Sequence, residues 1–399
     1  MIHPRDPGAP SVGGIQTFLQ DFIKYSPPEF EITFAGTTSD RKARPIGRMT
    51  RINIAGREAT VMPIAATGGI PRDPLGLIAS AVAQLRLRAL MLRGGRILQV
   101  HRPYRPIFLT GHRGPRVQFV HVDIREWPGP SAWGQLQGMY REFSDSALSA
   151  MAQIFVVNEP GAELLRREHP AIADRVSFLP GWFDPQTFRP PTDAAERAEL
   201  RKALLEDIGA PDSGDEALVL FAGRLEDIKA PLLALQAWAQ IAAERPTRLI
   251  VCGSGELAGK LESEVDRLGL AGRVHFLGDI PRERLSRLMR ATDVLLCSSV
   301  AEGGGPRVVL EALGSGTPVV TTVAGEVRRT VKTGSNGWIS ESRTADELAD
   351  GLRWSLAQPR DVVSVAAVEA VRPFQAATVL QQLYDAYREI AAGQIAPSG

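Results

Sequence analysis

The sequence predicts an α/β protein of two doubly wound, Rossmann-like units in tandem, and three observations carry that reading. At 399 residues, the chain exceeds what one hydrophobic core usually serves and suits two ordinary domains. Short, apolar, β-branched runs alternate with helical patterns along both halves, as in parallel sheets covered on both faces. Between the two sets, 184–200 holds Pro185, Pro190 and Pro191 and reads as a linker. The hydrophobic share of 44% and the charged share of 23% agree with a globular chain.

Taken in order, the first-half strands are expected at 31–35, 59–62, 96–100, 117–121, 154–157 and 176–179. Those of the second half are expected at 217–222, 248–252, 274–277, 294–297, 318–322 and 337–340. The first helix is the clearest: Ile15, Phe18, Leu19, Phe22 and Ile23 follow i, i+3, i+4, i+7, i+8 spacing directly after Gly13 and Gly14. Met1-Ile2-His3 leaves almost no room for a strand before it: either that strand is very short or the true start lies upstream of Met1. The second is the expectation, and N-terminal sequencing of native protein that found Met1 first would count against it. The closing segment carries Phe374, Val379, Leu380, Leu383, Tyr384 and Tyr387 and reads as a helix that can pack on either domain. The domains are therefore drawn as 1–188, 189–372 and a terminal helix within 373–399.

Composition narrows the function classes. Cys252 and Cys297 are the only cysteines, which excludes a disulfide scaffold and any CxxC metal site and fits a reducing compartment. There is no signal-peptide pattern and no uncharged apolar run of roughly 18 residues. Residues 1–190 carry 23 Lys and Arg against 16 Asp and Glu, whereas 191–399 carry 23 against 29. A basic half favours anionic ligands or a membrane surface. The apolar stretch 75–96, with Arg86, Arg88, Arg93 and Arg96, reads either as a domain helix with solvated arginines or as a helix lying on anionic lipid. The expected location is cytoplasmic, with peripheral contact to the inner membrane face.

Two stretches of the second half carry chemistry. In 221–231, a strand ends at Gly223, Arg224 stands at its carboxyl end, and Lys229 precedes a helix opened by Pro231. A helix N-terminus flanked by a guanidinium and an ammonium is an anion site that fits a diphosphate; the plain alternative is a surface ion pair of Lys229 with Glu226 or Asp227. In 298–318, a strand end is followed by Glu302, a triple-glycine loop and a helix running from Pro306 to Gly314. Glycines let a ligand reach the backbone N–H groups there. Glu311, inside that helix, can accept two ribose hydroxyls, and Glu302 can hold sugar hydroxyls; solvated surface carboxylates are the alternative for both.

With Gly13-Gly14, 181–190 and the Gly253-Ser254-Gly255 turn, these stretches resemble the family 4 glycosyltransferases over nearly the whole chain. The resemblance implies the GT-B fold, in which two Rossmann-like domains face a central cleft, and sugar transfer with retention of configuration. It implies that Gly223, Arg224 and Lys229 bind a donor diphosphate and that Glu311 binds the ribose. Backbone groups around Gly304, Gly305, Arg307 and Val308 would meet the distal phosphate and sugar, with Gly14 approaching the phosphate from the first domain. His121, ending a first-half strand, falls where the family has a histidine touching the donor sugar; an imidazole can bond a hydroxyl or stabilise developing charge. His101 is a weaker candidate for lining the cleft, and Asp123 and Arg125 for meeting the acceptor. Catalysis would rest on His121, Arg224, Lys229 and Glu302, with no metal or cofactor. One departure stands out: eight residues separate Glu302 from Glu311 where the family has seven, so one glycine must bulge to keep Glu302 in place.

The expected activity is transfer of a sugar, hexose most of all, from a nucleotide-diphosphate donor to a hydroxyl acceptor such as a lipid-linked glycan, in envelope or extracellular polysaccharide assembly. Nucleic acid is not an expected partner. The rivals are a non-catalytic nucleotide-sugar-binding subunit and a sugar-nucleotide epimerase. The run from Gly253 to Ala258 satisfies G-x-G-x-x-A, but it follows the second strand of its domain and lacks the ribose-binding acid about 20 residues on. It reads as a turn lining the base pocket.

Overall fold

The computed structural model describes residues 1–2, 6–9, 14–67, 74–92, 97–101, 112, 114–121, 148–211 and 214–393. Gly13, Arg93, Arg96, Asp123 and Arg125 lie outside the described residues. Two units separate, one of Met1–Pro180 with Ala377–Gly399 and one of Gly181–Ala376.

In the first unit, α1 (Gly14–Lys24) is followed by β1 (Thr33–Thr38), β2 (Thr50–Ile54) and β3 (Arg57–Ala66). Then come α2 (Pro74–Leu92), β4 (Leu98–Val100), β5 (Arg116–Val120), β6 (Gln153–Val156), α3 (Glu159–Glu168) and β7 (Val176–Phe178). The strands form two blocks, β1-β3-β2 and β4-β5-β6-β7. Ile2 joins them by parallel bridges to both Ala35 and Val100, so a single bridge residue holds the place of a central strand. The strand at 50–54 is absent from the sequence reading. It is antiparallel to β3, through a two-residue turn in which Ala55 (φ 50) and Gly56 (φ 89) both adopt left-handed backbone, as a type I′ hairpin requires.

The second unit holds α4 (Ala194–Asp207), β8 (Ala217–Ala222), α5 (Pro231–Glu244), β9 (Thr247–Cys252), α6 (Ala258–Arg267) and β10 (Val274–Gly278). It continues with α7 (Arg282–Ala291), β11 (Val294–Cys297), α8 (Arg307–Gly314), β12 (Val319–Thr322), β13 (Gly337–Ser340), α9 (Ala345–Ala357) and α10 (Arg360–Val371). Its sheet is wholly parallel, in the order β10-β9-β8-β11-β12-β13. Numbered from β8, this is the Rossmann order 3-2-1-4-5-6, with the switch point between β8 and β11. Alternate residues feed two cores: Leu218, Leu220, Ile250 and Leu295 on one face, Val219, Phe221, Leu249 and Leu296 on the other. Two covered faces explain why these strands read as unbroken apolar runs.

Two expected boundaries move. The sequence reading ends the first domain at 188, but the contact boundary falls after Pro180 because Phe183 and Phe188 join the second unit's core. A Cβ at Gly314 would come within 2.3 Å of the Phe183 ring, so that glycine makes room for Phe183 as well as ending α8. The segment 184–200 is no free linker either. Asp184, 1% exposed, accepts hydrogen bonds from the Gln186 N–H and the Thr187 hydroxyl, and Asp193 caps α4. The closing helix α11 (Ala376–Ala391) belongs to the first unit. There the Tyr384 hydroxyl donates to the Phe22 carbonyl at 2.7 Å.

Candidate functional site

Ligands of doubly wound sheets sit beyond the carboxyl ends of the strands at the switch point. In the second unit that position is shared by the loops after β8 and β11, the two stretches singled out in the sequence. They are tied together: the Ser298 hydroxyl shares its one proton between the carbonyls of Lys229 and Ala230, at 2.8 and 2.9 Å. The Val300 N–H donates to the Ile228 carbonyl at 2.9 Å. Ala230 adopts left-handed backbone (φ 44) and caps α5, whose first residue is Pro231.

Three ion pairs line these loops. Arg224, 62% exposed, donates to Glu226, while Lys229 pairs with Glu302. Arg307 Nε lies 3.3 Å from Glu311 Oε1, and the Arg307 guanidinium sits over the Trp182 ring at 5.7 Å. The alternative reading of Lys229 as a partner of Glu226 or Asp227 is therefore replaced: its carboxylate is Glu302, 73 residues away. The chain bends through 303–305, and the Glu302 carboxylate stands beside Lys229. Glu311 is buried, with a side chain 8% exposed. Each of these three cations is thus paired with one carboxylate, so the three pairs carry no net charge between them.

Glycines shape the site for different reasons. At Gly253 (φ +129), a Cβ would fall 2.0 Å from the Gly223 carbonyl oxygen. That close approach of two backbones accounts for Gly253 without any pyrophosphate, and removes the remaining appeal of the dinucleotide fingerprint. Gly325 (φ +55) is likewise fixed by the Gly304 carbonyl oxygen, which an added Cβ would meet at 1.8 Å, and so holds the triple-glycine loop in place. Gly223 differs, since a Cβ there meets the Lys229 side chain at an ordinary 3.8 Å. Val308 is half-buried in the first turn of α8, packing against the core, and Gly305 lies against Glu326.

In the first unit, His121 follows β5 directly and His101 follows β4. A buried chain of hydrogen bonds leads to His121. The Tyr387 hydroxyl donates to Gln99 Oε1 at 2.8 Å, Gln99 Nε2 meets His101 Nε2 at 2.7 Å, and His101 Nδ1 meets His121 Nε2 at 2.8 Å. Directions follow from the chemistry of each group. An amide that accepts through its oxygen donates through its nitrogen, so His101 accepts at Nε2 and carries its proton on Nδ1. It donates that proton to His121 Nε2, which leaves the neutral His121 protonated on Nδ1. Burial pushes His121 down to about 4 and the Tyr387 phenol well up, so these two groups are uncharged at neutral pH. Phe18 of α1 packs edge-on to His121 at 5.0 Å between centroids. His101, expected to line the site, is instead 5% exposed and stands behind His121 as its support. Gly14 opens α1, and a Cβ there meets no described atom within 4 Å.

Sequence reasoning misses the roles of Gln99 and Tyr387. Gln99 is a polar residue in a strand that should be apolar, and that is the one available signal. The cysteines are both free and buried, and burial pushes the Cys252 thiol up to about 12, so it is no nucleophile. Among the described residues no cluster of His, Cys, Asp and Glu could hold a metal ion.

Comparison with solved structures gives close overlays along almost the whole chain. Anabaena HepE in complex with UDP and glucose overlays with a TM-score of 0.72 at 19% identity, covering 97% of this chain and 98% of that one. Sucrose-phosphate synthase from Thermosynechococcus elongatus gives 0.75 at 20% identity and 98% of each chain. The fold is GT-B. Within it, residues 206–367 match the family model described as glycosyl transferases group 1, so the matched part of the GT-B chain contains both switch-point loops. Among curated proteins, D-inositol 3-phosphate glycosyltransferase of Nocardioides sp. is 31% identical over 302 residues, which is 71% of this chain and 62% of the relative. The protein of that name from Xylanimonas cellulosilytica is 30% identical over 288 residues, 70% of this chain and 66% of the relative. This GT-B chain thus spans less than two thirds of the length of these curated relatives.

Proposed function

We propose that the protein is a retaining glycosyltransferase of the family 4 type, moving a sugar from a nucleotide-diphosphate donor to a hydroxyl acceptor. The observation that carries this is the pairing of two charged loops across the switch point of a 3-2-1-4-5-6 sheet. The names and titles of its relatives support it: glycosyltransferases by name, and a UDP and glucose complex in HepE.

Binding a donor exchanges partners within the three ion pairs. Arg224, exposed and held by Glu226, turns to the diphosphate, and Lys229 adds a point charge beside the N-terminus of α5. Glu302, released from Lys229, accepts hydroxyls of the sugar, and Glu311 those of the ribose. Gly304, Gly305 and the first turn of α8 offer backbone N–H groups to the distal phosphate, while Gly223 and Gly253 shape the floor under the base and diphosphate. As the bond from the anomeric carbon to the diphosphate breaks, negative charge grows on the leaving group. Arg224, Lys229 and the helix N-termini stabilise that charge without a metal. His121, neutral and protonated on Nδ1, acts as a hydrogen-bond donor to a sugar hydroxyl and not as a fixed cation; Gly14 leaves room for a phosphate beside α1.

The acceptor we assign is a hydroxyl of a lipid-linked or envelope glycan, reached from the cytoplasmic membrane face. On α2, Ile78, Val82 and Leu85 are exposed beside the exposed Arg88, the pairing that suits an anionic lipid surface. No helix of the described residues is long and apolar enough to cross a membrane. The test is transfer from labelled donors to hydroxyl acceptors, with the product's anomeric configuration read by NMR. Retention supports the assignment, and inversion contradicts it.

A further inference from the structure

A second cluster of charge lies at the opposite edge of the second unit's sheet, where β8, β11 and β12 begin. Strands of four to six residues rise about 3.3 Å per residue, so this edge stands well over 10 Å from the switch-point loops. A cavity of about 290 Å³ opens there, lined by Arg197, Arg201, Asp293, Ser355 and Arg360 among others. That is near the lower limit of the roughly 300–1,000 Å³ of ligand pockets.

The charges around it do not balance. Asp293 takes Arg197 at 2.5 Å and Arg201 at 3.2 Å, and also accepts the Leu218 N–H at 2.8 Å. Its carboxylate is thus shared by two guanidiniums and a backbone N–H. Arg360 is left with the Asp293 carbonyl at 2.7 Å and the Thr317 hydroxyl at 2.9 Å, and no described carboxylate lies within ion-pair distance of it. Glu216 is engaged by Arg248 at 2.7 Å. What remains is Arg197, Arg201, Arg245 and Arg360 against Asp215 and Asp293, an excess of two positive charges. Two of the residues lining the cavity also carry a buried polar atom with no partner among the described residues: Nε of Arg197, and Oγ of Ser355, which is 5% exposed. Burial among these cations pushes the Arg360 guanidinium down to about 9. Keeping several guanidiniums together with unfilled donors costs stability unless something anionic joins them.

We infer that this cavity binds a small oxyanion of phosphate type, either free phosphate or the phosphate group of a monoester, with Arg197 Nε, the Ser355 hydroxyl and Arg360 as its donors. Guanidinium forks and a hydroxyl suit the tetrahedral, multiply charged group, and the first turn of α10 adds the positive end of a helix. The inference does not depend on the proposed transferase activity. A ligand bound here raises the stability of the second unit by mass action.

Calorimetric titration of the full chain with inorganic phosphate tests it, with Arg197→Gln, Ser355→Val and Lys229→Ala measured beside wild type. The expected result is saturable binding, weakened at least tenfold by Arg197→Gln and severalfold by Ser355→Val, and unchanged by Lys229→Ala. A rise in melting temperature with phosphate should follow the same order, in variants whose circular dichroism matches wild type. Tighter binding of a hexose phosphate than of free phosphate supports the site and assigns it to monoesters; the reverse supports it as a free-phosphate site. No saturable binding by wild type, or binding lost in Lys229→Ala and kept in Arg197→Gln, overturns it.

Discussion

The two units solve the same topological problem with opposite electrostatics. At the strand ends of the second unit, three cations are each paired with a carboxylate. At the strand ends of the first, a neutral histidine is held by a hydrogen-bonded chain through His101, Gln99 and Tyr387. The difference teaches what each edge would meet under the proposed function. Exchangeable ion pairs suit a diphosphate whose charge increases during reaction, whereas a fixed imidazole N–H suits an uncharged hydroxyl that must be placed accurately.

The largest expected effect falls on the charged edge. Lys229→Ala should lower donor turnover by roughly 10²–10³-fold, about 3–4 kcal/mol of lost charge stabilisation, as read by nucleoside diphosphate release. A loss below threefold would make the Lys229 pair structural and dissolve the contrast.

Glycine substitutions sharpen it. Gly325→Ala should destabilise the second unit by about 2–4 kcal/mol, because left-handed backbone and a 1.8 Å approach to the Gly304 carbonyl coincide there. Gly14→Ala should change stability by less than about 1 kcal/mol and weaken donor binding. Denaturant unfolding and donor calorimetry check both, and a strongly destabilised Gly14→Ala would show that packing fixes that glycine.

A smaller effect is expected on the neutral edge. Tyr387→Phe removes one hydrogen bond worth about 1 kcal/mol and loosens the tautomer of His121. Turnover should drop about tenfold with the donor KM unchanged, while Tyr384→Phe, outside the chain, should leave turnover alone. Equal effects from both would mean that the relay only stabilises.

The smallest concerns pH. His121 titrates near 4 when folded and near 6.5 when unfolded, so the unfolded state binds the extra proton between those values. Its contribution to stability is complete above pH 6.5 and is lost as pH falls towards 4. The melting temperature of wild type should therefore fall more between pH 7 and 5 than that of His121→Gln. Matching slopes would place the imidazole in water.

Legibility in the sequence divides along the same line. The strands at 217–222, 294–297 and 337–340 coincide with β8, β11 and β13 because residues buried on both faces leave an unbroken apolar signal. Arg224, Lys229, Glu302 and Glu311 are legible as a group, since loops at strand ends carry their chemistry in consecutive residues. The first unit is harder. Thr50–Ile54 alternates polar and apolar residues in a partly exposed edge strand, and its turn is Ala55-Gly56 where Asn-Gly would have announced a hairpin. Trp182, Phe183 and Phe188 read as a junction because nothing local reveals that α8 waits to receive Phe183. The Gln99–Tyr387 bond spans 288 residues and Arg197–Asp293 spans 96. Contacts of that range arise from the fold, which no local pattern of residues contains.

The central claim is that the charged edge handles a nucleotide-sugar diphosphate. It is tested most directly by calorimetric binding and nucleoside diphosphate release across UDP-, GDP- and ADP-sugars, with Arg224→Ala beside wild type. The account predicts that one donor binds and slowly releases its nucleotide, and that Arg224→Ala abolishes the release. Absence of binding and release with every donor, or release untouched by Arg224→Ala, would contradict it.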